Sequence, residues 1–600
     1  MSRVNANRIL TQAAYSTEDK PIIALSLVTD GIGGELRHGC YQRQGDAEPT
    51  HIASSLELWA AVVHSSNRGC VWYAHHGGET DYRYLIPHIL GYLGLHPDAE
   101  AYPIMQQRRI IGIVIHTGSK QRIELRDSHA LLPLNLHALA GQFAPHLAHE
   151  DVGILVRTRE LTYSQILACQ HDTSALLAVI LSAKALVRTH FGCAVGWTTG
   201  ATAMRAFRRQ LDRDEAYWRL KPNVEGFARR AYHGGLCALT TINRTERVST
   251  IDVNSMYPSV MRRGVPDGVP TRVYREVPGS PAFYRCEVVV LPEERIPWLP
   301  YDGPDGRLLW PRGEFTTTLT SDELYAARAR GFTVTVLDGY AFPGLSYPFD
   351  AWVEHLEELR ARYRGQPVET VVKLLQNSLY GKFGSREEIE EYRLYEGDVP
   401  AGWQPLIDER TGDIAEAICW RLKPMDAPYM LPHWAAWITA QARLRLIDAI
   451  YAIGPEHVRY CDTDSITADR DAIDRAVARG AIAVGTAYGE WKVEHLYDWF
   501  HAGAPKEYVG LEGNGTYVVR AAGVPRSAIV LVDIIAALEG EQASVEYVTT
   551  ASTVSSFRGH GASRLARRGY STIRNSPNWE ADADGQVYAR EIHAGRIVVE

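Results

Sequence analysis

The sequence predicts a multidomain protein of mixed α/β and α+β class. Three observations carry this. The chain has 600 residues, more than one hydrophobic core organises at roughly 100–200 residues per domain. Its composition, 46% apolar and 22% charged, is that of a folded protein and excludes wholesale disorder. Short β-rich runs alternate with stretches of helical period, without repeats or low-complexity tracts. Basic residues number 63 and acidic ones 71, a net charge of −8. A generally basic nucleic-acid binder is thereby excluded, and any such contact must rest on local patches.

From the N-terminus, the runs 22–28, 110–115 and 152–156 predict strands, and 163–187 predicts a helix with an apolar stripe at Leu167, Leu176, Leu177, Val179, Ile180 and Leu181. Its most apolar part, 174–187, is broken by Lys184 and is shorter than the about 20 residues of a membrane span, so a buried core helix is expected. No apolar leader opens the chain, and the eight cysteines form no CxxC pair. Neither a zinc site nor a disulfide framework is expected, and the setting expected is the reducing cytoplasm, with no membrane partner. A helix over 201–211 follows. The Pro- and Gly-rich stretch 266–348 holds β runs at 285–290 and 333–337 and reads as an inserted module. Trp352, Leu356 and Leu359, then Val368, Val371, Val372, Leu375 and Leu379, recur at helical spacing on either side of Arg364-Gly365-Gln366-Pro367, which predicts an antiparallel helical hairpin. A polar segment from 385 to about 432, a helix over 435–450, a β-rich region and a mixed C-terminal segment complete the order.

Three constellations carry chemistry. In the first, Thr250-Ile251-Asp252-Val253-Asn254-Ser255-Met256-Tyr257-Pro258-Ser259, an apolar strand runs into an aspartate and a turn, and Pro258 suits the first turn of a helix. In the second, Tyr460-Cys461-Asp462-Thr463-Asp464-Ser465, two carboxylates lie two residues apart between apolar β runs. Buried, they repel each other and call for a divalent cation; an exposed Asp-rich turn is the plainer alternative. The third runs from Lys373 to Gly384. On a helix Lys373, Asn377 and Tyr380 share one face, offering a cation, an amide and a ring, and Gly381 lets the helix stop. Asp252 with Asp462 and Asp464 supplies oxygen ligands for two hard cations, Mg²⁺ or Mn²⁺, a set suited to phosphoryl transfer on a nucleoside triphosphate.

In this order the three strings resemble the motifs DxxSxYPS, KxxxNSxYGxxG and YxDTDS of family B DNA polymerases. Tyr232-His233-Gly234-Gly235 resembles the YxGG motif, and Lys506-Glu507-Tyr508 the KxY motif, of the protein-primed branch found in phages and linear plasmids. The resemblance implies an RNase H-like exonuclease-type domain followed by a right-hand polymerase. Its parts would be an exonuclease-like domain (1–190), first palm part (191–265), first insertion (266–347), fingers (348–384), second insertion (385–431), second palm part (432–535) and thumb (536–600). It implies Asp252 and Asp464 as metal ligands, with Asp462 close by and the Val253 carbonyl assisting. Tyr257 would be the gate beneath the sugar, Lys373 the triphosphate contact, and Asn377, Tyr380 and Ser255 part of the nucleotide pocket. One of Arg360, Arg362 or Arg364 would add a phosphate contact, and Arg362 is taken. Tyr232, Gly234, Gly235, Lys506 and Tyr508 would face primer and template. The implied partners are primer-template DNA, dNTPs and a terminal-protein primer, with the enzyme a monomer.

The resemblance also implies a 3′–5′ exonuclease built on about four carboxylates. Glu18, Asp81 and Asp172 fit its motifs, but Ser16 stands where an aspartate is expected, His76 where Asn is usual, and Ala168 where Tyr is usual. Reduced or absent proofreading is therefore expected, since a hydroxyl brings no charge to two dications. Basic clusters at Arg205, Arg208, Arg209 and Arg213, at 360–364, and at 558–574 are candidate backbone contacts. A primer-independent primase-polymerase keeps the same catalytic motifs and remains an alternative, as does a catalytically inactive DNA-binding scaffold.

Overall fold

A central strand covered on both faces organises the N-terminal part. In the computed structural model, which describes residues 9–14, 20–29, 36–106, 109–118, 121–148, 161–407, 414–524, 529–539, 544–550, 563–569, 579–593 and 596–597, that strand is β1 (Ile22–Thr29). Its sequence IIALSLVT is apolar on both sides and buried almost throughout, as a strand beneath helices must be. β2 (Leu36–Arg43), β3 (Thr50–Ile52), β4 (Val71–Ala74), β5 (Glu100–Gln106), β6 (Arg109–His116) and β7 (Arg122–Asp127) follow. β1 pairs in parallel with β4, Ile22 opposite Val71 and Leu25 opposite Ala74. Helix α1 (Tyr163–Phe191) packs on β1 and β2. Its start is closed by a reciprocal Thr162–Gln165 capping box and its end by Gly192 at φ 63°. Of its apolar stripe Leu176, Leu177, Val179 and Ile180 are buried and Leu167 and Leu181 half-buried, as a core helix requires. The expected strand at 152–156, and with it Ser16, Glu18, Arg558 and Arg574, lie outside the described residues.

After helix α2 (Thr199–Gln210) come β8 (Cys237–Leu239), β9 (Thr245–Val253), the short helix α3 (Met256–Met261), β10 (Thr271–Val273), β11 (Ala282–Val290), β12 (Arg312–Thr320), helix α4 (Ser321–Ala329) and β13 (Thr333–Ala341). The hairpin helices are α5 (Asp350–Arg362) and α6 (Pro367–Ser378), with α7 (Tyr380–Phe383) continuing beyond a break at Leu379. β14 (Glu388–Leu394), β15 (Gln404–Ile407) and β16 (Ile414–Pro424) lead to α8 (Pro432–Ile453). Then follow β17 (Val458–Asp462), β18 (Ser465–Asp469), β19 (Trp491–Ala504), β20 (Glu507–Glu512), β21 (Tyr517–Ala521), β22 (Glu591–His593) and β23 (Arg596–Ile597).

Among the described residues three sheets have more than two strands. The N-terminal sheet has the order β15-β16-β14-β5-β6-β7-β4-β1-β2-β3. The segment read as merely polar at 385–431 is thus a meander that prolongs this sheet, with Leu394 opposite Ala101. Tyr392, Leu394, Ala415 and Ile418 join its core while Glu388, Ile389 and Glu390 stay exposed. Exposure of both faces at the far ends of these strands, 388–390 and 421–424, is what gave it a polar composition. The central sheet, β8-β17-β18-β9-β19-β20-β21, is antiparallel and carries the candidate site. α8 lies in its core, and from Pro432 to Leu444 every residue is buried, the polar His433, Thr439, Gln441 and Arg443 included. The inserted module forms a third sheet, β10-β13-β11-β12-β22-β23, whose β22 lies parallel to β12 (Arg312 opposite Glu591). The end of the chain therefore returns to the module rather than continuing the segment before it, and Trp579, Val587, Ala589 and Ile592 join the main core.

Candidate active site

The carboxylates meet where β9 ends against the β17–β18 hairpin. Asp252 is opposite Ser465 on one side and Lys492 on the other. Two residues, Thr463 and Asp464, connect β17 to β18, with Thr463 at φ 61°. That left-handed conformation suits so tight a turn. The Asp464 carbonyl accepts from the Val253 N–H at 2.9 Å, and the Thr463 N–H donates to the Leu236 carbonyl at 2.8 Å. These bonds place Asp464 beside the end of β9. Burial pushes the Asp464 carboxyl up to about 7, and the charges of Asp252 and Asp462 add to the shift. Burial also raises Asp252, against which Lys492 Nζ acts at 2.9 Å from Oδ1. Lys506 Nζ lies 2.7 Å from Asp462 Oδ2. Among the described residues no cationic side chain pairs with Asp464 in an ion pair. Crowded carboxylates with one left uncompensated, beside a strand-end carbonyl, fit hard divalent cations. Lys492 carried no signal in the sequence, because its partner is set by the register of β19 on β9.

The helical hairpin is latched onto the turn after β9. Ser255, at φ 53°, precedes α3, and its Oγ accepts from Arg360 Nη1 at 2.7 Å and Gln376 Nε2 at 3.1 Å. Tyr488 Oη donates to Gln376 Oε1 at 2.8 Å. The Arg360 guanidinium lies 5.3 Å from the Tyr488 ring centroid. Arg362, the arginine taken from the sequence, lies instead over Tyr363 at 5.6 Å, near His190. Two residues along a helix turn a side chain by about 200°, so of the two only Arg360 reaches Ser255. Tyr257 and Tyr380 stack with centroids 3.9 Å apart and planes 16° apart. Lys373 and Asn377 are both exposed, as their shared helical face predicts, and Lys373 Nζ pairs with Glu369 Oε1 at 2.9 Å. Gly381 does not end the helix; it lies inside α7, and Gly384 closes it. A Cβ on Gly384 would come within 2.2 Å of the Tyr232 ring.

The Tyr232–Gly235 loop fills the space between α8 and the carboxylate turn. A Cβ on Gly235 would meet the Thr463 side chain at 2.6 Å. Arg443 Nη1 donates to the carbonyls of His233 and Gly234 at 2.8 and 3.0 Å, and its Nη2 to Glu323 Oε1 at 2.7 Å. The backbone N–H of Lys506, at φ 62°, donates to Tyr460 Oη at 3.0 Å. Tyr508 packs on Tyr460 and Phe500 at 5.6 and 5.2 Å. Of the basic clusters, Arg205, Arg208 and Arg209 donate to the carbonyls of Val195, Thr11 and Ala13. They tie chain segments together rather than forming a free basic face.

In the N-terminal domain Asp81 and Asp172 are buried. Burial pushes Asp81 up to about 7 and Asp127, missed in the sequence, up to about 6. β1 carries no carboxylate. Beyond its pairing with β4, where Asp81 reaches the Leu27 backbone, the residues of β1 are Ser26, Leu27, Val28 and Thr29. Histidines crowd the same place, with His76 and His129 stacked 4.0 Å apart.

Comparison with known proteins agrees with this layout. Residues 158–398 match the family model of DNA polymerase type B, organellar and viral. A probable DNA polymerase of Neurospora intermedia is 26% identical over 370 residues, covering 57% of this chain and 37% of that protein. The DNA-directed DNA polymerase of Enterobacteria phage PRD1 is 26% identical over 424 residues, 66% of each. The chain thus spans less than two thirds of the length of these relatives. Among solved structures, Phi29 DNA polymerase in an orthorhombic crystal form superposes with a TM-score of 0.72 at 18% identity, covering 92% of this chain and all of that one. Its ternary complex with primer-template DNA and incoming nucleotide gives 0.70 at 17%. The shared architecture is an exonuclease-type domain followed by palm, fingers and thumb.

Proposed function

Because residues 158–398 match the family model of DNA polymerase type B, organellar and viral, we propose that this chain is a template-directed DNA polymerase of the protein-primed kind, extending a primer hydroxyl with dNTPs. The observation that carries the reading is the convergence of Asp252 and Asp464 at the ends of β9 and β17, with the α5–α6 hairpin latched to the adjoining turn through Arg360 and Ser255. Asp252, the Val253 carbonyl and Asp464 would hold two divalent cations, which supply charge stabilisation for in-line displacement at the α-phosphorus. Lys373 and Arg360 bring positive charge to the triphosphate, and the stacked Tyr257 and Tyr380 rings floor the sugar pocket. The Tyr232–Gly235 loop, Lys506 and Tyr508 face primer and template, and a separate terminal protein supplies the first hydroxyl. The N-terminal domain keeps its fold with proofreading reduced or absent, because Ser16 stands where the first carboxylate of that site is expected.

Primer extension on a gapped template with Mg²⁺ tests the reading. Asp464→Ala is expected to lower extension by on the order of 10³-fold or more, the loss of several kcal/mol at 1.36 kcal/mol per tenfold, while DNA binding survives. Normal extension by that variant overturns the assignment. Synthesis on single-stranded template without any primer would identify a primase-polymerase instead.

A further inference from the structure

At the far side of the N-terminal sheet, β2 and β3 bring together three side chains that the polymerase reading does not use. His38 and Cys40 stand at i and i+2 on β2 and therefore share one face. His51 on β3 is directly opposite Cys40 in the antiparallel register. Cys40 Sγ lies 3.6 Å from His38 Nε2 and 3.6 Å from His51 Nδ1, and the two nitrogens are 3.0 Å apart. All three donor atoms lie within 4.8 Å of one another. A tetrahedral centre with Zn–N near 2.05 Å and Zn–S near 2.3 Å separates its nitrogens by about 3.3 Å and nitrogen from sulfur by about 3.6 Å. The observed spacings need only a slight parting of the two rings. We propose that His38, Cys40 and His51 form a zinc-binding site, distinct from the carboxylate centre and selecting zinc by its nitrogen and sulfur donors.

The surroundings support a ligand role. Gln170 on α1 places its side-chain Nε2 2.6 Å from His51 Nε2. The amide turned end for end would accept the Nε2–H and leave the Nδ1 lone pair directed at the site, the usual outer-shell support of a zinc histidine. Cys40 is fully buried and His51 exposed, so the site has a fixed floor and an open side. The Thr173 hydroxyl of α1 reaches the Cys40 carbonyl at 3.4 Å. A bound ion would clamp the edge of the sheet to that helix. The set escaped a spacing search because its ligands form an HxC pair and a cross-strand histidine, not a CxxC. Binding displaces the Cys40 thiol proton to solvent and changes no oxidation state.

The full chain, purified after equilibration with zinc chloride and desalting, is assayed for metal content by mass spectrometry. Cobalt(II) substitution then reports thiolate ligation through a sulfur-to-cobalt charge-transfer absorption. One zinc equivalent beyond that retained by His51→Ala is expected, and the charge-transfer absorption should vanish in Cys40→Ser. His51 is exposed, so its variant keeps the fold, which circular dichroism verifies. Cys193→Ser, at a buried cysteine outside the cluster, should retain zinc. Equal zinc content in the wild type and His51→Ala overturns the proposal, as does a cobalt spectrum without thiolate absorption.

Discussion

Arg443→Met tests whether the loop beside the carboxylates is held by one buried cation. Arg443 and Glu323 are both fully buried, 0% exposed. Arg443 donates from Nη2 and Nε to Glu323 Oε1 at 2.7 and 3.2 Å, and from Nη1 to the His233 and Gly234 carbonyls. Methionine keeps the apolar stem and removes every one of these donors. Breaking a buried pair from one side costs about 3–5 kcal/mol, because the remaining charge is uncompensated, and the two carbonyls add to it. With a urea slope of about 3 kcal/mol/M for a domain of this size, 4 kcal/mol lowers the midpoint by about 1.3 M. Trp434 and Trp437 lie on the same helix as Arg443 and are buried, so tryptophan fluorescence follows the relevant transition. Glu323 Oε2 also accepts from Thr320 N and Oγ1, each at 3.0 Å. The companion variant Glu323→Gln therefore keeps a capping oxygen while removing the charge. In the double variant about 2 kcal/mol of the summed loss should return. A loss under about 1 kcal/mol for Arg443→Met, or strict additivity of the two changes, refutes the argument.

Gly235→Ala should destabilise the same region by about 1–3 kcal/mol through the clash with Thr463. Thermal unfolding should recover in Gly235→Ala/Thr463→Gly, where glycine also suits φ 61°. Asp81 has its folded pKa raised by burial to about 7 from 3.8. The unfolded chain therefore releases this proton first as pH rises, and stability falls between about pH 4 and 7. Asp81→Asn should accordingly stabilise the N-terminal domain at pH 8 and not at pH 4; equal effects at both refute it. Lys492→Met removes the cation paired with Asp252. If that lysine competes with a metal ion, the Mg²⁺ concentration for half-maximal extension should fall about 2–5-fold, and an unchanged requirement refutes the competition.

The motifs that resemble those of family B polymerases were legible because each is local: a strand end with its aspartate, a tight turn between two strands, a helical face with a period of 3.6. The residues 250–259, 460–465 and 373–384 carry that information within about a dozen positions each. The multidomain class and the helical hairpin could therefore be read from residue order, and the carboxylates named as candidates. Residue order did not determine partners separated by long stretches of chain, because those depend on sheet register and helix phase. Register on β9 brought Lys492 to Asp252, and helix phase put Arg360 rather than Arg362 on Ser255. The meander at 388–424 was hidden by strand ends exposed on both faces, and only pairing with β5 assigned it to the N-terminal sheet. Asp127 and the His38–Cys40–His51 cluster likewise exist as sites only after strands are laid side by side. Local chemistry was written in the order of residues; which charges compensate one another was decided by tertiary structure, since Coulomb energy and coordination act over ångströms of space and not along the chain.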